Sequence, residues 1–247
     1  MFYKNAQKKG SMKKIAILQS NYIPWKGVFD MINMVDEFVF FEDVAFTKRD
    51  WRSRNKIPTP NGEIWLTVPV NKAERGTKIK DITINHETDW QRKHYLTLSG
   101  YYKKAPFYKE YEYLLDDIYK DHQWNSLSEM NIYITIKIST ILGITTKFVN
   151  SADLNTCGTK DDKLIEICQK LNATHYLSGP AAKDYIVDDK FKKAKLGLSY
   201  IKYDGYPNYK QLYGEFNHYV SVLDVLMNCG QDAPLFIFMG NEEVVIE

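Results

Sequence analysis

"KIAILQSNYIPWKGVFD", residues 14–30, begins as one kind of structure and ends as another. KIAIL (14–18) is a continuous apolar run, the pattern of a strand buried on both faces of a parallel sheet. Further on, Val28, Met31, Ile32 and Val35 fall on one face of a helix expected over 25–35. Between the two stand an amide, a phenol, a proline, an indole and a glycine, where an open α/β sheet keeps its ligand. A strand that enters a helix through such an elbow opens a β–α–β succession.

The rest of the chain continues the succession. FVFF (38–41) reads as a second strand closing on Glu42 and Asp43, and IWLTVPV (64–70) as a third, after the turn signals of IPTPNGE. IKDITI (79–84) alternates as an edge strand does. Helices are expected over 90–104, 107–120 and 126–142. Pro106 parts the first two, Ser126 with Glu129 suits a capping box, and Gly143 suits the end of the third. Then come TKFVN (146–150), a helix over 160–172, HYLSG (175–179), a helix near 181–194 and LSYIKY (198–203). A last helix over 217–228 precedes LFIFMG, read as a further strand. This alternation predicts an α/β fold with a doubly wound, mainly parallel, Rossmann-like sheet and a helical insertion at about 90–143. Residues 1–12 read as a disordered N-terminal extension, and 13–247 as a single α/β domain.

Composition narrows the function classes. With 33 basic and 31 acidic residues, the net charge of +2 gives no reason to expect a nucleic-acid polymer as partner. Cys157, Cys168 and Cys229 form no C-x-x-C pair and are odd in number. That fits a reducing, cytoplasmic compartment and argues against a zinc or disulfide framework; no metal ligand set is expected. No apolar run reaches the ~18 residues of a membrane span, so no membrane insertion is expected. A homo-oligomer stays open. The 18 Tyr and 5 Trp supply rings with polar tips that suit sugars, bases or partner proteins, or simply half-buried packing.

Four strand ends combine position with chemistry. In the elbow, Gln19 and Asn21 offer donors and acceptors, Tyr22 and Trp25 flat faces, and Gly27 close backbone approach at a helix start. The same stretch also reads as a structural turn with Trp25 as an apolar plug. In 40–57, Asp43 follows strand two as a candidate general base, and Lys48, Arg49, Arg52, Arg54 and Asn55 follow as candidates for phosphate or sugar. Charges that pair with one another in a solvated loop are the alternative. In 176–186, Ser178 and Gly179 enter a helix as an anion nest, with Asp184 close behind, or as an ordinary helix start. In 206–226, Tyr213 is a binding candidate and His218 a second candidate acid or base. Cys157, in a loop before a helix, is a weaker nucleophile candidate without a visible His partner.

These segments resemble the WbqC-like family. Gln19-Ser20-Asn21-Tyr22-Ile23-Pro24-Trp25-Lys26-Gly27 is similar to its Q-P-N-Y-hydrophobic-P-W-x-G opening, with Ser20 where the family often has Pro. FVFFEDVAFTKRDWRSRNKI (38–57), NGEIWLTVPV (61–70), YLSGPAAKDYI (176–186), YKQLYGEF (209–216) and SVLDVLMNCG (221–230) follow in order. The resemblance implies a place in bacterial surface-polysaccharide (O-antigen, lipopolysaccharide) gene clusters and, for some members, glycyl or aminoacyl transfer to amino sugars. A fold-level likeness to nucleotidylyltransferases is weaker. Their His-x-Gly-His signature is replaced by Pro24-Trp25-Lys26-Gly27, which leaves triphosphate handling to Lys26 or to the 48–54 cluster.

The expectation is therefore a cytoplasmic bacterial transferase acting on a nucleotide-linked sugar or another phosphorylated small molecule. ATP or another activated acyl donor would supply the acyl group. The alternatives are a non-catalytic binding component of a biosynthetic assembly and a nucleotidylyltransferase variant.

Overall fold

The apolar run becomes β1 (Lys14–Leu18), and its two neighbours come from opposite halves of the chain. The computed structural model describes residues 12–247, so the expected N-terminal extension lies, apart from Met12, outside the described residues. β2 (Glu37–Phe40) pairs parallel with β1 on one side. The separate hairpin strands β3 (Arg54–Thr59) and β4 (Gly62–Thr67) follow in the chain. β5 (Lys147–Asn150) lies beyond β2, also parallel. On the other side of β1 stand β6 (His175–Ser178) and β7 (Gly197–Ile201), both parallel, and the antiparallel edge strand β8 (Glu242–Ile246). The order β5-β2-β1-β6-β7-β8 winds outward from β1 twice, in opposite directions. The α/β, doubly wound, mainly parallel sheet is as expected, and its reversal between β1 and β6 opens a crevice beyond the strand ends.

The helices in chain order are α1 (Lys26–Asn33), α2 (Trp90–Tyr102), α3 (Tyr108–Asp116), α4 (Leu127–Ile141), α5 (Lys160–Lys170), α6 (Asp188–Lys193) and α7 (Leu223–Cys229). Ala16, Phe38, Phe40 and Leu177 share a core with residues of α1 to α4 and α7. Ile15, Ile17, Val39 and Tyr176 belong to a second core with residues of α5 and α6. Neighbouring strand residues thus point to opposite cores, which is why the strand sequences are apolar throughout rather than alternating. Ser126 caps α4, its hydroxyl accepting from the Glu129 N–H at 3.3 Å, and Gly143 follows that helix at φ +75°.

Several element expectations are corrected. IWLTVPV adds no strand to the main sheet; β3 and β4 pair with each other through the turn at Pro60-Asn61-Gly62, with Gly62 at φ +98°. A local hairpin satisfied the apolar pattern that was read as a sheet strand. IKDITI is a 3₁₀ turn, Ile79–Asp81, followed by isolated bridges from Thr83 and Ile84, because its partners are loops rather than a sheet edge. The helix near 181–194 divides into a 3₁₀ turn, Pro180–Asp184, and α6. The last helix is the shorter α7, and LFIFMG falls in and after a further 3₁₀ stretch, Gly230–Phe236, with the edge strand further on. Among the described residues, no helix is long and apolar enough to cross a membrane.

Candidate functional site

A cavity of about 430 Å³ opens at the switch point, with Gln19, Arg52, Lys160, Asp161 and Tyr185 among its walls. Gln19 and Arg52 were expected there; Lys160 and Asp161, from the first turn of α5, were not. Arg52 reaches Asp50 Oδ2 at 2.5 Å, its backbone carbonyl accepts from Asn131 of α4 at 2.8 Å, and its Nε is buried without a partner. Beneath it Glu42 is fully buried and accepts from the Ser20 N–H (2.8 Å), the Ser20 hydroxyl (3.0 Å) and the Ser128 hydroxyl (2.5 Å). Burial pushes the Glu42 carboxyl up. This strand-end carboxylate is a peg joining the elbow to α4. Ser20 supplies a backbone N–H that a proline at its position would lack.

Asp43, the expected base, is not free. Its carboxylate is paired with Lys163 and accepts from the Ser151 hydroxyl at 2.5 Å, and both members of the pair are about a tenth exposed or less. Burial alone would raise the Asp43 carboxyl, but Lys163 and Ser151 outweigh it and hold the group below its usual range. A carboxylate held low is a poor proton acceptor. Asp43 also stands outside the cavity lining. Its bond to Lys163 ties the loop after β2 to α5, the helix that presents Lys160 and Asp161.

The elbow itself is anchored from below. The Tyr22 phenol is fully buried, bonded to His94 Nδ1 at 2.7 Å and to the Tyr119 hydroxyl at 2.5 Å. Burial pushes the phenol up and lowers His94 to about 4. Tyr22 therefore holds the elbow rather than facing a ligand. Ile23 sits at φ +37°, which a β-branched residue seldom adopts. Asn55 clamps it, donating to the carbonyls of Tyr22 (3.2 Å) and Ile23 (2.7 Å). Asn21, Trp25 and Asn55 meet Pro24, Trp51 and Tyr219 around a second cavity of about 220 Å³. Gly27 serves this wall: a Cβ there would lie 2.3 Å from the Trp25 indole, so glycine lets the ring fold back over the helix start. Close approach of a side chain, not of an anion, is what needs the glycine.

The remaining expected residues are dispersed. Lys48 and Arg49 are exposed, Arg49 at φ +56°, and Arg54 lies on β3 with its guanidinium 4.2 Å from the Trp65 ring centre. The basic cluster read as one phosphate site is thus divided, with Arg52 alone at the switch-point cavity. Ser178 is buried and donates to the Tyr176 hydroxyl at 3.2 Å. Gly179 leads into a five-residue 3₁₀ turn whose first residue, Pro180, has no N–H to give an anion, and Asp184 is exposed. Tyr213 donates to the Tyr101 carbonyl at 2.9 Å, fastening its loop to α2. His218 packs on Phe216 and Tyr206, and burial followed by the nearby Lys26 charge lowers its pKa. Neither Tyr213 nor His218 lines either cavity. Cys157 is exposed, and its backbone N–H donates to Glu166 at 3.0 Å.

Lys26, expected as a candidate for triphosphate handling, is instead the centre of a buried cluster that lines neither cavity. Lys26 is 2% exposed, and its ammonium lies 4.7 Å from the Tyr206 ring centre and 5.5 Å from that of Tyr209, without a hydrogen-bond partner. Burial lowers it to about 8, against the pull of Cys229, Asp224 and Asp30. Both aspartates are fully buried. Asp30 accepts from the Tyr206 hydroxyl and from the N–H groups of Met239 and Gly240. Asp224 accepts from Tyr102, Tyr209 and Gln211. The signal that could have found them is an acidic residue among apolar neighbours: "VFDMI" (28–32) and "VLDVL" (222–226) leave no polar face.

A model of the WbqC-like protein family matches residues 19–235, and the chain belongs to that family. A relative from Mycobacterium tuberculosis (strain ATCC 25618 / H37Rv), "Uncharacterized protein Rv1507c", is 42% identical over 227 residues, 92% of this chain and 98% of the relative. No solved structure matches the chain.

Proposed function

We propose that this WbqC-like protein is a cytoplasmic transferase of bacterial surface-polysaccharide biosynthesis. It binds a nucleotide-linked amino sugar at the β1/β6 switch point and transfers a glycyl or related aminoacyl group to the sugar's amine. The observation that carries the reading is the switch-point cavity, which sets the cations Arg52 and Lys160 beside the Gln19 amide and the Tyr185 ring. Guanidinium and ammonium suit a diphosphate, while ring and amide suit a sugar or a base. The volume of about 430 Å³ lies within the usual range of about 300–1,000 Å³ for ligand pockets. The family's association with surface-polysaccharide clusters supports the biosynthetic setting.

In the transfer the amine nitrogen forms a bond to the acyl carbon. The bond to the activating group breaks, that group leaves with the electron pair, and the nitrogen loses a proton. ATP, or a preformed thioester or aminoacyl donor, supplies the activation. Asp161 is the carboxylate that lines the cavity, and we assign it the proton; Asp43 acts through Lys163 as a positioning residue.

The test is incubation with ATP, glycine and UDP-linked amino sugars, read by mass. A glycyl adduct is expected, with turnover about 100-fold lower in Asp161→Asn while ligand affinity stays within about tenfold. Undiminished turnover in Asp161→Asn removes its role. A binding-only component is the second reading, favoured by the placement of Asp43 and His218 outside the cavity. Ligand binding with no product from any donor would establish it, and pyrophosphate release from ATP would instead point to a nucleotidylyltransferase.

A further inference from the structure

We infer that the cavity of about 220 Å³ beside the β3–β4 hairpin is a pyranose-binding subsite, separate from the switch-point cavity. Its six lining residues are two asparagines, a proline and three aromatics, with no charged group among them. That composition excludes phosphate as its guest and selects a neutral one with both apolar faces and polar edges. A sugar ring meets this description, its C–H faces lying on indole or phenol and its hydroxyls on side-chain amides.

The aromatic surfaces remain open to water. Trp51 is 43% exposed and Tyr219 60% exposed. Trp65, also 43% exposed, leans on Trp51 at 5.4 Å between ring centres and extends the rim. Asn21 contributes a further demand. Its Oδ1 is buried without a partner, a loss that a hydroxyl or amide donor delivered through this wall would relieve. Asn55 has both ends of its amide committed, donating to the elbow carbonyls and accepting from the Lys56 N–H. Its part of the wall is fixed before any ligand arrives, and Asn21 supplies the unmet polar group.

A nucleobase fits less well. The pairs Trp25–Tyr219 and Trp51–Trp65 are already in contact at 5.3 and 5.4 Å, tilted by 36° and 40°. Neither leaves the parallel gap of about 7 Å that a sandwiched base requires. A puckered ring needs only one open face. The subsite adjoins the switch-point cavity, since Gln19 lines one and Asn21 the other, and Arg52 lines one and Trp51 the other. It stands whether or not the switch-point cavity takes a nucleotide.

Tryptophan fluorescence tests it, because Trp90 and Trp124 are buried while Trp51 and Trp65 are exposed. The probes are glucose, N-acetylglucosamine and its β1,4-linked disaccharide, with uridine as the base control and UDP titrated calorimetrically in parallel. A saccharide should shift the emission saturably. Its affinity should fall about tenfold in Trp51→Ala and about fivefold in Asn21→Ala, each keeping the wild-type UDP response. Saccharide binding without UDP binding would uphold the subsite and count against the proposed function alone. The subsite is overturned if no saccharide perturbs the emission or if uridine alone does. It is equally overturned if Trp51→Ala binds saccharide like the wild type, or if Lys160→Ala abolishes the saccharide response.

Discussion

The elbows after β1 and β6 stand on either side of the switch point and are built in opposite ways. The first is held on every side. Tyr22 is rooted in the core through His94 and Tyr119, Ser20 is pegged to Glu42, and Asn55 clamps the left-handed Ile23. The second is a short 3₁₀ turn, Pro180–Asp184, whose outer residues are exposed; Ser178 just before it bonds within its own strand, and Lys183 within it pairs with Glu243 at 2.7 Å on the surface. Holding a bulky residue at positive φ costs free energy that surrounding bonds must offset, and only the β1 elbow has such surroundings. The lesson is that both strand ends reach the cleft, but one is a fixed wall and the other a surface turn.

Breaking the clamp should produce the largest contrast. Asn55→Ala strips donors from two buried carbonyls and should lose about 2–4 kcal/mol, whereas Ser178→Ala at the other elbow should lose about 1 kcal/mol or less. Urea midpoints of the two variants check this, and equal losses would erase the distinction. Acid should act next, through the anchor. His94 titrates near 6.5 when unfolded and near 4 when folded, so the unfolded chain binds more protons between those values. Stability falls as pH drops through that window, by up to about 3 kcal/mol, and is insensitive to this group above it. His94→Gln should flatten the fall, measured as denaturant midpoints at pH 6.5 and 4.5.

The same mutation at two glycines sharpens the comparison further. Gly27→Ala drives a methyl into the Trp25 ring and should lose about 1–3 kcal/mol. Gly179→Ala meets nothing within 4 Å at φ −73° and should leave stability unchanged or raise it by up to about 1 kcal/mol. Thermal melts of the pair decide it; a tolerated Gly27→Ala would mean that the indole moves aside freely.

The legible part of this fold was the part written in local period. KIAIL, FVFF and HYLSG are apolar without alternation because both sheet faces are covered, and that pattern needs no knowledge of partners. IWLTVPV carried the same signal yet paired inside its own hairpin, since an apolar run does not name its neighbour. The site was legible in position and less so in role. Gln19, Asn21, Trp25, Arg52 and Asn55 do line cavities, but Tyr22 and Glu42 turn inward to partners on α2 and α4 that lie 72 and 86 residues away. Lys26 read as a candidate for triphosphate handling because the tyrosines that cover it come from beyond residue 200.

That cover has a consequence for biosynthesis on the ribosome. Helix α1 emerges well before the segments that cover it. Yet its buried Asp30 bonds to Tyr206, Met239 and Gly240, and its Lys26 lies against Tyr206 and Tyr209. Until those residues leave the exit tunnel, both charges stay hydrated and α1 cannot settle against its final neighbours. Helix α1 therefore completes its packing only after the segment through Gly240 has emerged, and a chain released before Tyr206 leaves this helix uncovered.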